Sequence, residues 1–251
     1  MKILACDYDG TLNVAGTVSQ ENLEAIERWR AAGNLFGMVS GRYLDSICNR
    51  LDKDEVAYDY LIANNGAVIT NGQGEIVYRT CIMPDKAKAL LDEIKKYPLH
   101  HISISFGKTY LTVKPDSKVH AESHTLVVDG TCIEQVTQIS ATLLFPENAV
   151  ALRDACAKVF GDHIKGKMPT IQSIDFNRAD VNKAEGIRCL LELRGIDPEV
   201  VLTVGDGEND LAMLEAPDFC GYAMRNSMPM VLERVSRTTE SVAALIERYL
   251  A

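Results

Sequence analysis

The chain has 251 residues, of which 47% are hydrophobic and 24% charged, with a formal net charge of −9. That length suits one large domain or a core with a second, smaller domain, and the composition is that of an ordinary soluble globular protein. The acidic balance argues against a general nucleic-acid or anionic-membrane binder, which needs extended positive surface, yet one metal ion and a few cations can still hold a small anion.

The first element is an apolar run, Ile3-Leu4-Ala5-Cys6, that reads as a buried strand ending in Asp7-Tyr8-Asp9-Gly10-Thr11. The run is too short for a signal peptide. A polar loop follows to Val18. Ser19 is the N-cap of a helix whose Leu23, Ile26 and Trp29 share one face, and Gly33 stops it. Leu35 to Val39 is a second buried strand, ending at Ser40-Gly41-Arg42. A helix through Leu44, Ile47 and Leu51 leads to a third strand, Leu61 to Ala63, and then to Asn64-Asn65-Gly66. Strands separated by helices imply βαβ units and a parallel sheet.

From about residue 67 the pattern changes. Val68-Ile69 and Ile76-Val77-Tyr78 flank a turn at Asn71-Gly72-Gln73-Gly74 and read as a hairpin. A helix follows Pro84, carrying Ala87, Leu90, Leu91 and Ile94. Residues 102–106 and 110–113 alternate with period two, the mark of antiparallel strands with one wet face. Residues 115–135 carry no clear period. A strand near Ser140 to Phe145 and a helix from Glu147 to Phe160 complete an α+β unit. The parallel pattern resumes near residue 180. Asn182 and Glu185 have capping-box spacing, and Ile187, Leu190, Leu191 and Gly195 outline a helix and its stop. Val200 to Val204 is another buried strand, running into Gly205-Asp206-Gly207-Glu208-Asn209-Asp210. Phe219 to Met224 is a further strand and Val242 to Leu250 a closing helix. The simplest topology is an α/β core at residues 1–82 and 178–251, interrupted by an α+β domain at 83–177.

In a parallel sheet all C-terminal strand ends lie on one edge. Asp7 and Asp9, Ser40-Gly41-Arg42, and Asp206, Asn209 and Asp210 can therefore converge. Such a hard, oxygen-rich set suits Mg²⁺. Lys183 sits in the first turn of its helix, where a cation opposes the macrodipole but can bind an anion beside the helix amides. The seven cysteines are scattered, with no C-x-x-C pair, which fits reduced thiols in a cytoplasmic protein and not structural zinc. His100, His101, His120, His124 and His163 fall in the inserted stretch; only His120 and His124 have metal-pair spacing, with no helix pattern to support it. No segment approaches the 18 apolar residues of a membrane span.

Taken in order, Asp7-Tyr8-Asp9-Gly10-Thr11, Val39-Ser40-Gly41-Arg42, Lys183 and Gly205 to Asp210 resemble the motifs of the haloacid-dehalogenase (HAD) superfamily. The insertion resembles the large α/β, C2B-like cap of the Cof-type subgroup, and Asn64-Asn65-Gly66-Ala67 is similar to a further signature of that subgroup. The resemblance implies a Rossmann-like HAD core with an inserted cap, and a Mg²⁺-dependent phosphatase that forms an aspartyl-phosphate. It implies Asp7 as nucleophile and Asp9 as acid and base. It implies Mg²⁺ held by the Asp7 side chain, the Asp9 carbonyl and Asp206, with Asp210 beside them. Ser40, Gly41, Lys183 and Asn209 would bind the phosphoryl group; Arg42 and Asn65 lie near the substrate or serve the structure. The implied partner is a small phosphorylated metabolite, such as a sugar phosphate or a phosphorylated cofactor, with no nucleic acid and no membrane, and the protein a monomer or small homo-oligomer. A phosphosugar mutase of the same superfamily and a non-catalytic phosphometabolite-binding protein are the alternatives.

Overall fold

The computed structural model describes residues 1–250. Strand β1 (Lys2–Cys6) is followed by a short hairpin, β2 (Asn13–Val14) and β3 (Thr17–Val18), within the stretch expected to be loop. Helix α1 (Gln20–Ala31) begins where the Ser19 hydroxyl accepts a hydrogen bond from the Asn22 amide, satisfying one of the orphan donors of the first turn. Strand β4 (Leu35–Val39), helix α2 (Leu44–Lys53) and strand β5 (Tyr60–Ala63) follow, then the hairpin β6 (Val68–Asn71) and β7 (Ile76–Arg79).

The inserted unit opens with α3 (Pro84–Ile94), β8 (Leu99–Ser105) and β9 (Tyr110–Val113). The stretch without a clear period folds as a small antiparallel sheet of β10 (Val119–Ala121), β11 (Leu126–Val128) and β12 (Thr131–Ile133). Then come β13 (Gln138–Leu143), α4 (Pro146–Phe160), β14 (Ile164–Thr170) and β15 (Ser173–Arg178). The chain returns to the core with α5 (Lys183–Arg194), β16 (Val200–Gly205), α6 (Leu211–Leu214), β17 (Cys220–Met224), α7 (Pro229–Arg234), β18 (Thr238–Thr239) and α8 (Val242–Leu250).

The main sheet has the order β18-β17-β16-β1-β4-β5-β6-β7. Its strands are parallel from β18 to β5, and the β6–β7 hairpin adds an antiparallel edge, so that hairpin belongs to the core sheet. Strand β1 is central and covered on both faces. Leu4 and Cys6 join a cluster with Ile26, Trp29, Ile47 and Leu245, whereas Ile3 and Ala5 join one with Ile187, Leu190, Leu211 and Met213. Burial on both faces is why such strands read as continuous apolar runs.

The inserted unit has its own sheet, β14-β15-β13-β8-β9, in which every pairing is antiparallel. Period-two alternation divides its faces. Ile102, Ile104, Ile139, Leu143, Ile174 and Phe176 pack with Leu90, Leu91 and Leu152 of α3 and α4. The opposite, polar face is turned to the C-terminal edge of the main sheet. No helix among the described residues is long and apolar enough to cross a membrane.

Two local details anchor α5. Asn182 Oδ1 accepts from the Glu185 amide at 3.0 Å, but the Glu185 carboxylate turns to Arg188 at 2.5 Å, so only one side of the expected capping box closes. Gly66, at φ +113°, lies under the start of the same helix: a Cβ there would come within 2.4 Å of the Asn182 carbonyl oxygen. Both the backbone angle and the clash exclude larger residues. Gly66→Ala is expected to lower the unfolding free energy by about 1–3 kcal/mol, measured as a lower urea midpoint at unchanged m-value. An unaltered midpoint would contradict this close approach.

Candidate active site

Strand β1 ends at Cys6, but Asp7 extends the ladder, its amide donating to the Val204 carbonyl at 3.0 Å. The chain then folds back tightly, with the Leu12 amide on the Asp7 carbonyl and the Asn13 amide on the Tyr8 carbonyl. Gly10 adopts φ +83°, and a Cβ on it would lie 2.3 Å from Asp206 Oδ2. Glycine thus lets the first loop press against the loop after β16. Thr11 Oγ1 donates to Asp206 Oδ1 at 2.6 Å and ties the two together.

Lys183 is fully buried at the start of α5. Its ammonium lies 2.5 Å from Asp7 Oδ1 and 2.5 Å from Asp210 Oδ1. The other Asp210 oxygen, Oδ2, accepts the amides of Asp206 and Gly207 at 2.9 and 2.8 Å. Both oxygens of Asp210 are therefore committed to shaping its loop and holding the lysine. Burial by itself would lower the Lys183 pKa, but Asp210 and Asp7 outweigh it and hold the amine above its usual range. Burial pushes Asp7 well above the ordinary carboxylate range against the pull of Lys183, with Asp210 and Asp206 adding to the rise. Burial likewise pushes Asp206 up to about 6.

Asp7, Asp206 and Asp210 each bring a carboxylate oxygen within 4.8 Å of the others. One lysine among these carboxylates leaves surplus negative charge in a poorly solvated place, which is unfavourable unless a further cation shares it. The donors are hard oxygens, so the cluster fits a hard divalent cation.

The remaining expected residues surround this cluster. Asp9 projects into the cavity with its carboxylate half-exposed, gripped by Arg42 through Nε–Oδ2 at 2.6 Å and Nη2–Oδ1 at 2.7 Å. Ser40 is buried, and its hydroxyl accepts the Arg42 amide at 3.1 Å. Ser40, Gly41, Arg42 and Asn209 all line the same cavity of about 480 Å³ as Asp7, Asp9, Asp206 and Asp210.

Lys183 and Asn65 lie behind that lining. Asn65 is fully buried at φ +57°, an angle that Asn tolerates better than most residues. Its Nδ2 faces Gln138 Oε1, Asp175 Oδ2 and Asn177 Oδ1 at 3.1 to 3.3 Å, and its Oδ1 accepts from Asn209 Nδ2 at 3.2 Å. It therefore bridges the cap strands to the loop after β16. Gln138 completes the bridge by donating to the Gly41 carbonyl at 3.1 Å.

The sequence reading missed the cap side of the cavity, including Ser103, Ser140 and Asp175. The signal was present in Ser173-Ile174-Asp175-Phe176-Asn177, whose polar residues alternate with buried apolar ones. Of the five histidines, none belongs to a metal-ligand group among the described residues.

A family model described as haloacid dehalogenase-like hydrolase matches residues 4–244. A 5-amino-6-(5-phospho-D-ribitylamino)uracil phosphatase of Bacillus subtilis is 26% identical, with 99% of this chain and 97% of that protein covered. A phosphoglycolate phosphatase of Methanothermobacter thermautotrophicus is 27% identical, with 100% and 99% covered. Among solved structures, a haloacid dehalogenase-like hydrolase from B. subtilis superposes with a TM-score of 0.80 at 19% identity, covering 98% of this chain and 99% of that one. A HAD/COF-like protein from Plasmodium vivax superposes with a TM-score of 0.77 at 18% identity, covering 99% and 95%. With its motif loops on one edge of a parallel sheet and a polar cap face above them, the chain belongs to the haloacid dehalogenase-like hydrolases.

Proposed function

We propose that this hydrolase is a Mg²⁺-dependent phosphatase of small phosphorylated metabolites, working through an aspartyl-phosphate on Asp7. The observation that carries it is the state of the Asp7 carboxylate. It is buried at a strand end, one oxygen is held by Lys183 at 2.5 Å, and it opens on a cavity that also holds Asp9 and Asn209. Its relatives above are named as phosphatases, which supports the same reaction class.

Asp7 attacks phosphorus through Oδ2, the oxygen that Lys183 does not hold, and the bond from phosphorus to the leaving oxygen breaks. Asp9 gives a proton to that oxygen, so the alcohol departs neutral. To deliver the proton, Asp9 must give up its two bonds to Arg42. Water then attacks phosphorus, Asp9 takes its proton, and the bond to Asp7 breaks to restore the carboxylate and release phosphate. Ser40, the Gly41 backbone and Asn209 hold the phosphoryl oxygens through both steps, while Lys183, expected among the phosphate holders, stays behind the lining and fixes Asp7. Asp7, Asp206 and the Asp9 carbonyl would hold the metal ion, with Asp210 behind them; when bound it neutralises charge on the transferring group.

The test uses purified protein, Mg²⁺ and p-nitrophenyl phosphate beside a panel of phosphorylated metabolites. Asp7→Asn is expected to reduce phosphate release roughly a thousandfold or more, and turnover that survives this substitution would sink the reading. A second prediction concerns pH. Burial pushes the Asp206 carboxyl up to about 6, so as pH falls through that range it is expected to protonate and be lost as an anionic ligand. Mg²⁺ affinity, measured by calorimetry, should fall as pH drops through 6, by roughly tenfold per unit at most for one proton. Asp206→Asn should weaken binding and diminish the part of that fall that Asp206 contributes.

A further inference from the structure

The two acids of the first loop face unlike demands. Asp7 has only to stay in place, and two holds keep it there: its amide continues the ladder to Val204, and Lys183 grips its carboxylate. Asp9 has to move, because its carboxylate gives up both bonds to Arg42 before it delivers a proton. Once those bonds are gone, the backbone that carries Asp9 decides where the proton arrives.

That backbone is pinned on its core side by groups the reaction steps above do not use. Tyr8, between the two acids, is 1% exposed and belongs to the cluster of Trp29, Ile47 and Leu51. Its hydroxyl donates to Asp54 Oδ2 at 2.5 Å. Asn13 Nδ2 donates to both partners, to the phenol oxygen at 3.0 Å and to Asp54 Oδ2 at 3.1 Å. Asn13 also closes the turn through its main chain. Its amide donates to the Tyr8 carbonyl at 2.8 Å, and its carbonyl accepts the Gly10 amide at 2.9 Å. The residues before and after Asp9 are thus both bonded to Asn13, and an isolated bridge pairs Asp9 itself with Asn13.

Asp54 is itself moored. It ends α2, where its amide donates to the Arg50 carbonyl at 2.9 Å, and α2 buries Leu44, Ile47 and Leu51 in the core. The far side of the turn has its own ties, from Thr11 to Asp206 and from Asn226 Nδ2 to the Gly10 carbonyl at 2.8 Å. Those ties begin only after Asp9. The side before it depends on Tyr8. None of Tyr8, Asn13 and Asp54 lines the cavity, so none is placed to touch a substrate.

We propose that Tyr8, Asn13 and Asp54 form a positioning unit for the acid and base: they lock the Asp9 backbone to α2, so that its carboxylate exchanges Arg42 for the substrate without the turn shifting. The inference rests on the phosphatase reading above. Because Asp7 has independent holds, loss of the unit misplaces Asp9 and spares the nucleophile. A misplacement of about 1 Å can cost on the order of a hundredfold in rate. That loss falls on substrates whose leaving oxygen needs a proton, since this is where a general acid acts.

The experiment measures kcat/KM at saturating Mg²⁺ on two substrates. One is p-nitrophenyl phosphate, whose leaving group departs as a stable anion. The other is the alkyl phosphate of the metabolite panel that the unsubstituted protein turns over fastest. Tyr8→Phe and Asp54→Ala should each lower the alkyl phosphate value by about tenfold or more, and the p-nitrophenyl phosphate value by less than about threefold. The double variant should lose no more than the larger single loss, because both substitutions remove the same bond. Asp54→Asn still accepts from the phenol and should restore most of the alkyl phosphate activity. If Asp54→Ala does not fold, Tyr8→Phe, which keeps the buried ring, decides. Equal falls on both substrates, no fall on the alkyl phosphate, or no recovery in Asp54→Asn overturns the positioning unit while Asp7-dependent hydrolysis still stands. Failure of the unsubstituted protein to hydrolyse any alkyl phosphate overturns the phosphatase reading and this one together.

Discussion

A single buried ammonium organises this molecule. Lys183 brings Asp7 from the end of β1 and Asp210 from beyond β16 to within 2.5 Å of one nitrogen. Removing three charged groups from water costs several kcal/mol per ion, and their attraction repays it only with good geometry and further hydrogen bonds. Those bonds are present, for Asp210 also accepts two backbone amides. The cluster is an expense accepted for chemistry and is poorly explained as a source of stability. The strand order follows the same need, since β16 lies beside β1 and their two acidic loops emerge side by side.

The local backbone serves that cluster. Gly10 permits the Asp206 carboxylate to approach the first loop, and Gly66 permits the start of α5 to approach the turn after β5. Neither glycine carries chemistry, yet each sets the distance between groups that do. The Asn64-Asn65-Gly66 turn has positive φ at all three residues, so its sequence is largely a statement about backbone shape.

The core was legible because its central strands are buried on both faces and end in distinctive loops. Ile3 to Cys6, Leu35 to Val39 and Val200 to Val204 needed no tertiary information to be read as strands, and Ser19 and Gly195 mark their helix ends as the local rules expect. The cap was only partly legible. Strands β14 and β15 lie where the sequence offers Lys165, Lys167, Asp175 and Asn177 among apolar residues, and that mixture makes sense only once one face meets another domain. Asn65 illustrates the same limit: its neighbours Gln138, Asp175 and Asn177 lie between 73 and 112 residues away in the chain, so no local pattern could announce them. The capping box half-failed for a related reason, because Arg188 offered Glu185 a charged partner in place of an amide.

The bridge through Asn65 has a mechanical consequence. One side-chain amide touches three cap residues on one side and Asn209 on the other, while Gln138 tethers the cap to the carbonyl of Gly41. Any swing that lifts β13 and β15 away from the core must snap these tethers first. The same swing pulls on two loops that flank the reacting centre. Lifting the cap and loosening the loops after β4 and β16 are therefore one motion.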